Sequence, residues 1–184
     1  MQIKKENIKN IDENELDNVV WRYLTFPKFI SLLVYGALWF PKLKILQDQY
    51  EGSLPARVEA QMHQNNQKWK STFTSSEYHK QIDAWPSDNV NDGRELTVVN
   101  CWFIDTIESK RMWDEYVGSS EGVAIKSTIR KLATYVYAYP EWSHIGKVKY
   151  VDKQSYEMTT YKGSQAHERA FLKDKQKYSH EQEV

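Results

Sequence analysis

The chain has 184 residues, in which 25 Lys and Arg are balanced by 25 Asp and Glu. This length predicts one domain with enough residues to bury a core. The balanced charge gives no bulk attraction to DNA or RNA, although one or two cations could bind the phosphates of a small molecule. The single cysteine, Cys101, cannot form an internal disulfide and is interpreted as a core residue.

No segment has the character of a membrane span or a secretion signal. The longest apolar stretch, FISLLVYGALWF, is too short to cross a bilayer. Residues 1–18 form a polar leader without the apolar centre of a signal peptide. We therefore expect a cytoplasmic protein that does not associate with membranes.

The first predicted elements are a strand, a helix and a second strand. NVVWRYLT is rich in β-branched and aromatic residues, which favours a strand. FPKFISLLVYG predicts a helix, because Pro27 suits the first turn and Gly36 suits the end. ALWFPKL is interpreted as a second short strand that Pro41 ends or leaves at an edge.

A polar helical insertion is predicted over residues 54–85. Val58, Met62, Trp69 and Phe73 follow helical spacing and form one narrow apolar stripe. LTVVNCWF follows and is apolar at both alternating sets of positions, which predicts a central strand.

The last third of the sequence predicts alternating helices and strands. Asp105 and Glu108 resemble the capping pair of a helix that carries Met112, Trp113 and Tyr116 on one side. GVAIKS and KVKYVD are predicted strands, and SHEQEV could begin another. The fold class is therefore α+β, a small mixed or antiparallel sheet with flanking helices, in a single domain over residues 19–184.

Several blocks of this chain resemble the bacterial family called domain of unknown function 2971. The similar blocks, in order, are VVWRYLT, LWFPKLKILQDQYEG, NCWFIDTIESKRMWDEYVGSSEGVAIKST, GKVKYVD and FLKDKQKYSHEQEV. They cover most of residues 19–184 but not the insertion. The family pattern continues beyond Val184, so the resemblance implies that the C-terminal part of the fold is absent. Family context also suggests a place in bacterial stress or phage defence.

A second resemblance is to the arginine-type ADP-ribosyltransferases, which carry an Arg, a Ser-Thr-Ser segment and Glu-x-Glu in that order. Here Arg22 lies in VVWRYL, Ser127 and Thr128 in AIKST, and Glu181 with Glu183 in HEQEV. Lys126 stands where the first serine would be. The resemblance implies an ADP-ribosyltransferase-like fold with NAD as the cofactor.

The same resemblance implies a role for each residue. Glu183 would stabilise the cation that develops on the ribose when nicotinamide leaves, and Glu181 would activate or orient the acceptor. Arg22 would bind a dinucleotide phosphate, and Ser127 would fix the ribose or the carboxylate. Trp113 is the one ring interpreted as able to stack a base.

Each of these residues also has a simpler interpretation. Arg22 could pair with a carboxylate or stack on a ring, and Ser127 or Thr128 could cap the next helix. Glu181 and Glu183 could be solvated charges. The alternative function is a non-catalytic module that binds a ligand or an unknown protein partner through Trp113 and the insertion.

Two other chemistries are disfavoured. The five histidines (His63, His79, His144, His167 and His180) show no metal-ligand spacing, so no metal is expected. Asp105, Glu108 and Lys110 faintly resemble a metal-dependent nuclease motif, but the Glu-x-Lys pair opens a predicted helix, where positions two apart diverge.

Overall fold

The chain folds into two compact units. The computed structural model describes residues 7–46, 48, 51–72, 75–77, 79–80, 93–138, 143–152, 154–156 and 166–184. The first unit comprises Met1–Phe40, Asn100–Lys149 and His180–Val184, and the second comprises Pro41–Val99 and Tyr150–Ser179. The predicted insertion, residues 54–85, belongs to the second unit.

The described residues form both helices and strands. The helices are α1 (Phe26–Tyr35), α2 (Ala56–Lys70), α3 (Lys110–Tyr116), α4 (Ile129–Ala138), α5 (Ala166–Arg169) and α6 (Lys175–Tyr178). The strands are β1 (Ile8–Lys9), β2 (Val19–Thr25), β3 (Phe103–Ile104), β4 (Gly122–Thr128), β5 (Ile145–Gly146), β6 (Lys149–Val151) and β7 (Leu172–Asp174). Two 3-10 helices lie at Glu13–Glu15 and Leu43–Ile45. This mixture confirms the α+β class.

The first unit is built on a three-stranded antiparallel sheet in the order β3-β2-β4. The central strand, β2, pairs with β4 along its whole length, with Arg22 opposite Ile125. β2 was predicted from its β-branched and aromatic residues and β4 from the alternation of Val123 and Ile125 with smaller residues, and both predictions are confirmed. A shorter parallel pair joins β1 to β5 in the same unit.

The two faces of this sheet bury different clusters. Val20 packs on one face with seven other buried residues, which come from the segments before β2 and β3, from α4, from β5 and from the C-terminal residue: Leu16, Trp102, Ile129, Ala133, Val136, Ile145 and Val184. Trp21 and Tyr23 alternate to the other face, where they pack with Phe103, Met112 and Val117. Because β2 is covered on both faces, residues of both alternating sets are buried along it.

The predicted limits of two helices are confirmed. α1 begins with Pro27 in its first turn and ends at Gly36, whose φ of 59° is the left-handed conformation that glycine adopts readily. α4 begins after Thr128, whose Oγ1 accepts a hydrogen bond from the Lys131 main-chain N–H at 3.3 Å. Thr128 is thus the helix cap that the sequence suggested.

Two predicted strands are wrong or much shorter than expected. ALWFPKL forms no strand; Lys42 makes a single bridge with Val98, and a 3-10 helix follows. Only Phe103 of LTVVNCWF enters β3. The Asn100 side chain donates to the Trp39 carbonyl and accepts from the Trp102 indole, and these side-chain bonds stand where a regular ladder was predicted.

The predicted cap of α3 is also wrong. Ser109, and not Asp105, caps the helix, because the Ser109 hydroxyl accepts a hydrogen bond from the Met112 N–H. Asp105 instead accepts from the N–H groups of Thr106 and Ile107 in the preceding turn.

The second unit contains α2 and a small apolar cluster. Leu54, Val58 and Met62 are buried together, which confirms the first half of the predicted apolar stripe. The Trp69 side chain and Phe73, the other half, lie outside the described residues. Also in this unit, β6 pairs with β7, and the Lys173 ammonium lies 3.9 Å from the Glu51 carboxylate, with both side chains buried. None of the helices described here has both the length and the hydropathy needed to span a bilayer.

Replacing Gly122 at the start of β4 with alanine should destabilise the protein. A Cβ there would lie 2.7 Å from the Leu24 carbonyl and 2.5 Å from a Val117 methyl. We expect a loss of about 1–3 kcal/mol in the free energy of unfolding, measured in urea. Ser120→Ala, in the exposed loop before β4, is the control and should change it by less than ~0.5 kcal/mol.

Glu15→Gln should destabilise the protein at neutral pH but not in acid. The pKa of Glu15 is lowered by the Asp12 main-chain N–H and by Lys147. A lowered folded-state pKa contributes stability above the unfolded value, near ~4.3, and that contribution is lost as pH falls through the folded value. The Tm of the wild type should exceed that of Glu15→Gln at pH 7, and the difference should disappear as the pH is lowered to 3. Glu59→Gln is the control, because Glu59 is an exposed residue of α2, and its Tm should stay close to that of the wild type at every pH.

Candidate functional site

Arg22 lies at the middle of the central strand and is half-buried. Its Nη1 atom donates a hydrogen bond to the Cys101 carbonyl oxygen, 2.6 Å away, just before β3. Burial is the main reason that the pKa of Arg22 lies below its ordinary value, and Cys101, Tyr116 and Glu183 act in the opposite direction. The guanidinium therefore lies within electrostatic reach of the Glu183 carboxylate.

Glu183 is brought to this place by main-chain pairing of the C-terminal residues. Trp102 and Val184 exchange two hydrogen bonds of 2.9 Å, and Glu183 bridges with Phe103 on β3. The Glu183 side chain is 2% exposed. Its Oε1 atom accepts a hydrogen bond from the Tyr116 hydroxyl at 3.3 Å. A buried carboxylate is tolerated where cations and donors offset its lost hydration, and Arg22 and Tyr116 provide these.

Ser127 lies on the strand next to Arg22. It pairs with Val20, two residues before Arg22, so both side chains are on the same sheet face as diagonal neighbours. Residues in that relation lie roughly 7–8 Å apart, within reach of one shared ligand. The structure thus places Arg22, Ser127 and Glu183, the three main predicted site residues, in one unit.

Thr128 and Trp113 lie elsewhere. Thr128 pairs with Val19, on the opposite sheet face from Arg22, and its hydroxyl caps α4. The Trp113 ring packs edge-on against Tyr23 at 5.1 Å, and its indole N–H donates to Glu108. Because Tyr23 and Arg22 point to opposite faces of β2, the predicted base-stacking ring is not on the Arg22 side.

Glu181 belongs to a separate group of titratable side chains. It is buried, and one ligand atom from each of Glu115, His180 and Glu181 lies within 4.8 Å of the other two. The His180 Nε2 atom is 3.0 Å from Glu115 Oε1. Burial alone would raise the pKa of Glu115, but hydrogen bonds from Arg111 and His180 outweigh it, and the pKa is lowered.

The strand spacing expected for Glu181 and Glu183 is not regular. Gln182 between them has a φ of 41°, in the left-handed region, so the alternation of an ideal strand is interrupted. Glu183 is directed to Tyr116, whereas Glu181 is directed to Glu115, the residue before it on α3.

Sequence reasoning missed four contributors to this region: the Cys101 carbonyl, Tyr116, Glu115 and His180. Tyr116 was interpreted only as a core residue. Glu115 and His180 are 65 positions apart, so no local spacing relates them. The one available signal was that HEQEV begins with a histidine directly before the acidic pair.

Tyr116→Phe should destabilise the protein, because it removes a hydrogen bond to a buried carboxylate. We expect a loss of about 1–2 kcal/mol in the free energy of unfolding, measured by urea denaturation. Tyr135→Phe is the matched control, since Tyr135 on α4 is 70% exposed and should be nearly neutral. Equal effects of the two changes would contradict a role for the Tyr116 hydroxyl.

Comparison with known proteins identifies no protein similar to this chain. No protein-family model matches the chain, and neither a curated protein nor a solved structure has significant similarity to it.

Proposed function

We propose that this protein is an ADP-ribosyltransferase-like domain of the type called domain of unknown function 2971, which binds NAD and cleaves its nicotinamide–ribose bond. The observation that carries the proposal is that the Glu183 carboxylate acts electrostatically on the Arg22 guanidinium, with Ser127 on the strand next to Arg22. These three residues are distant in sequence. They lie in the segments that resemble the Arg, Ser-Thr-Ser and Glu-x-Glu motifs of the arginine-type ADP-ribosyltransferases.

Arg22 is the proposed phosphate ligand. An arginine has five N–H donors in a planar arrangement that matches phosphate oxygens. Among the described residues, Arg22 donates one hydrogen bond, to the Cys101 carbonyl. That bond fixes the guanidinium and leaves donors that could bind a dinucleotide phosphate.

Glu183 is the proposed catalytic carboxylate. Loss of nicotinamide develops positive charge on the ribose, and a fixed carboxylate in a site with little water stabilises such charge strongly. Glu183 is held by main-chain pairing and by the Tyr116 hydroxyl. Water would then attack the ribose carbon, so that NAD and water give ADP-ribose, nicotinamide and a proton. Ser127 would position the ribose, and Glu181 would orient the acceptor.

A calorimetric titration of the chain with NAD tests binding. Chromatography of the released nicotinamide tests the reaction. Arg22→Lys should weaken NAD binding by roughly tenfold or more, because lysine cannot make the paired contact. Glu183→Gln should bind NAD within a few-fold of wild type but release nicotinamide about 100-fold more slowly.

Arg130→Lys is the matched control for these variants. Arg130 pairs with Asp17 through a side chain that is 44% exposed, and its replacement should change neither readout. Circular dichroism first shows that each variant is folded. Absence of NAD binding by the wild type, or unchanged binding and release in both site variants, would overturn the proposal.

Exposed apolar side chains favour a second candidate, a non-catalytic module that binds a ligand or a protein. Leu33, Val34 and Tyr35 of α1 and the following Trp39 are 61–78% exposed. Contiguous exposed apolar surface commonly marks an interaction site. This surface differs from the one expected from Trp113 and the insertion. A folded wild type that neither binds nor cleaves NAD would favour this candidate.

A further inference from the structure

One group of side chains in the first unit has the composition of a metal site. Glu115 on α3 and His180 and Glu181 in the C-terminal segment each place one ligand atom within 4.8 Å of the other two. We propose that these three residues bind a single divalent transition-metal ion of the Zn²⁺ type. This inference makes Glu181 a metal ligand in place of the acceptor-orienting role given to it above, and it leaves the proposed roles of Arg22, Ser127 and Glu183 unchanged.

The donor set determines the class of ion. One imidazole nitrogen and two carboxylate oxygens suit Zn²⁺ and similar ions, whereas Mg²⁺ and Ca²⁺ prefer oxygen alone. Tetrahedral bonds of about 2.1 Å place ligand atoms roughly 3.4 Å apart. The His180 Nε2 and Glu115 Oε1 atoms are already 3.0 Å apart. Small side-chain adjustments would therefore form the site, and three protein ligands would leave a position for water.

The charges of the group favour a bound cation. The Glu181 side chain is 8% exposed, and it brings a second carboxylate beside that of Glu115. A divalent ion would offset both negative charges at once. The Arg111 Nε atom donates to Glu115 Oε1 at 2.9 Å. That contact would orient the Glu115 carboxylate from outside the site, as partners of metal ligands commonly do.

The position of the site indicates what the ion would do. His180 and Glu181 belong to the segment that ends in Glu183, and Glu115 precedes Tyr116 on α3. An ion shared by these ligands would tie the C-terminal segment to α3. It would thereby hold the Tyr116–Glu183 hydrogen bond in place and stabilise the folded state.

The test is a calorimetric titration of the chelator-treated full chain with Zn²⁺. We expect one ion per chain and a rise in Tm of roughly 5–10 °C when Zn²⁺ is present at about one hundred times its Kd. His180→Ala and Glu115→Gln should each weaken Zn²⁺ binding by roughly 100-fold or more. His63→Ala is the matched control, because His63 is exposed on α2, and it should bind Zn²⁺ like the wild type.

Two results would overturn the proposal: no Zn²⁺ binding by the folded wild type, or unchanged Zn²⁺ affinity in both His180→Ala and Glu115→Gln. Glu115→Gln changes a helix-surface side chain and is expected to fold, which circular dichroism checks. The NAD titration is a separate measurement. A wild type that binds Zn²⁺ but not NAD would overturn the proposed function alone. A wild type that binds NAD but not Zn²⁺ would overturn the metal site alone.

Discussion

The main-chain pairing of the C-terminal segment with β3 is the constraint on which the candidate site depends. Trp102 and Val184 exchange both of their main-chain hydrogen bonds, and Ile104 donates to the Gln182 carbonyl. These bonds extend the edge of the three-stranded sheet by a short, irregular strand. Their consequence is that an acidic segment, which in isolation would be solvated, is fixed against the sheet and α3.

Once the segment is fixed, its charges must be compensated within the fold. A buried carboxylate without partners would be strongly unfavourable, because it loses its hydration. Glu183 has the Tyr116 hydroxyl as a hydrogen-bond donor and Arg22 as a nearby cation. Arg22 is held in turn by the Cys101 carbonyl. This arrangement explains how a charged side chain occupies the middle of a central strand.

The alternation of β2 separates Arg22 from the aromatic cluster. Trp21 and Tyr23 pack with Met112 on one face, while Arg22 points to the other with Val20. The same alternation decides which hydroxyl of the Ser127–Thr128 pair can contribute to a site. Ser127 shares the Arg22 face, whereas Thr128 lies on the opposite face and caps α4. Adjacent residues in the sequence thus have separate roles.

The sequence by itself determined the elements whose signals are local. β2 follows from β-branched and aromatic residues and β4 from the alternation of Val123 and Ile125. α1 follows from Pro27 in its first turn and Gly36 at its end. Local patterns failed where side-chain hydrogen bonds compete with them: Asn100 bonds to Trp39 and Trp102 where LTVVNCWF predicts a strand, and Ser109 replaces the expected cap of α3.

Only the tertiary structure decided what the polar residues contact. Arg22, Ser127 and Glu183 were recognisable as candidates, but their placement in one unit depends on pairing between strands that are far apart in the sequence. No local spacing in the sequence relates His180 to Glu115, since the two residues are 65 positions apart. Propensity and periodicity act over a few neighbouring residues, whereas a site is formed by chain segments that meet only after the core is buried.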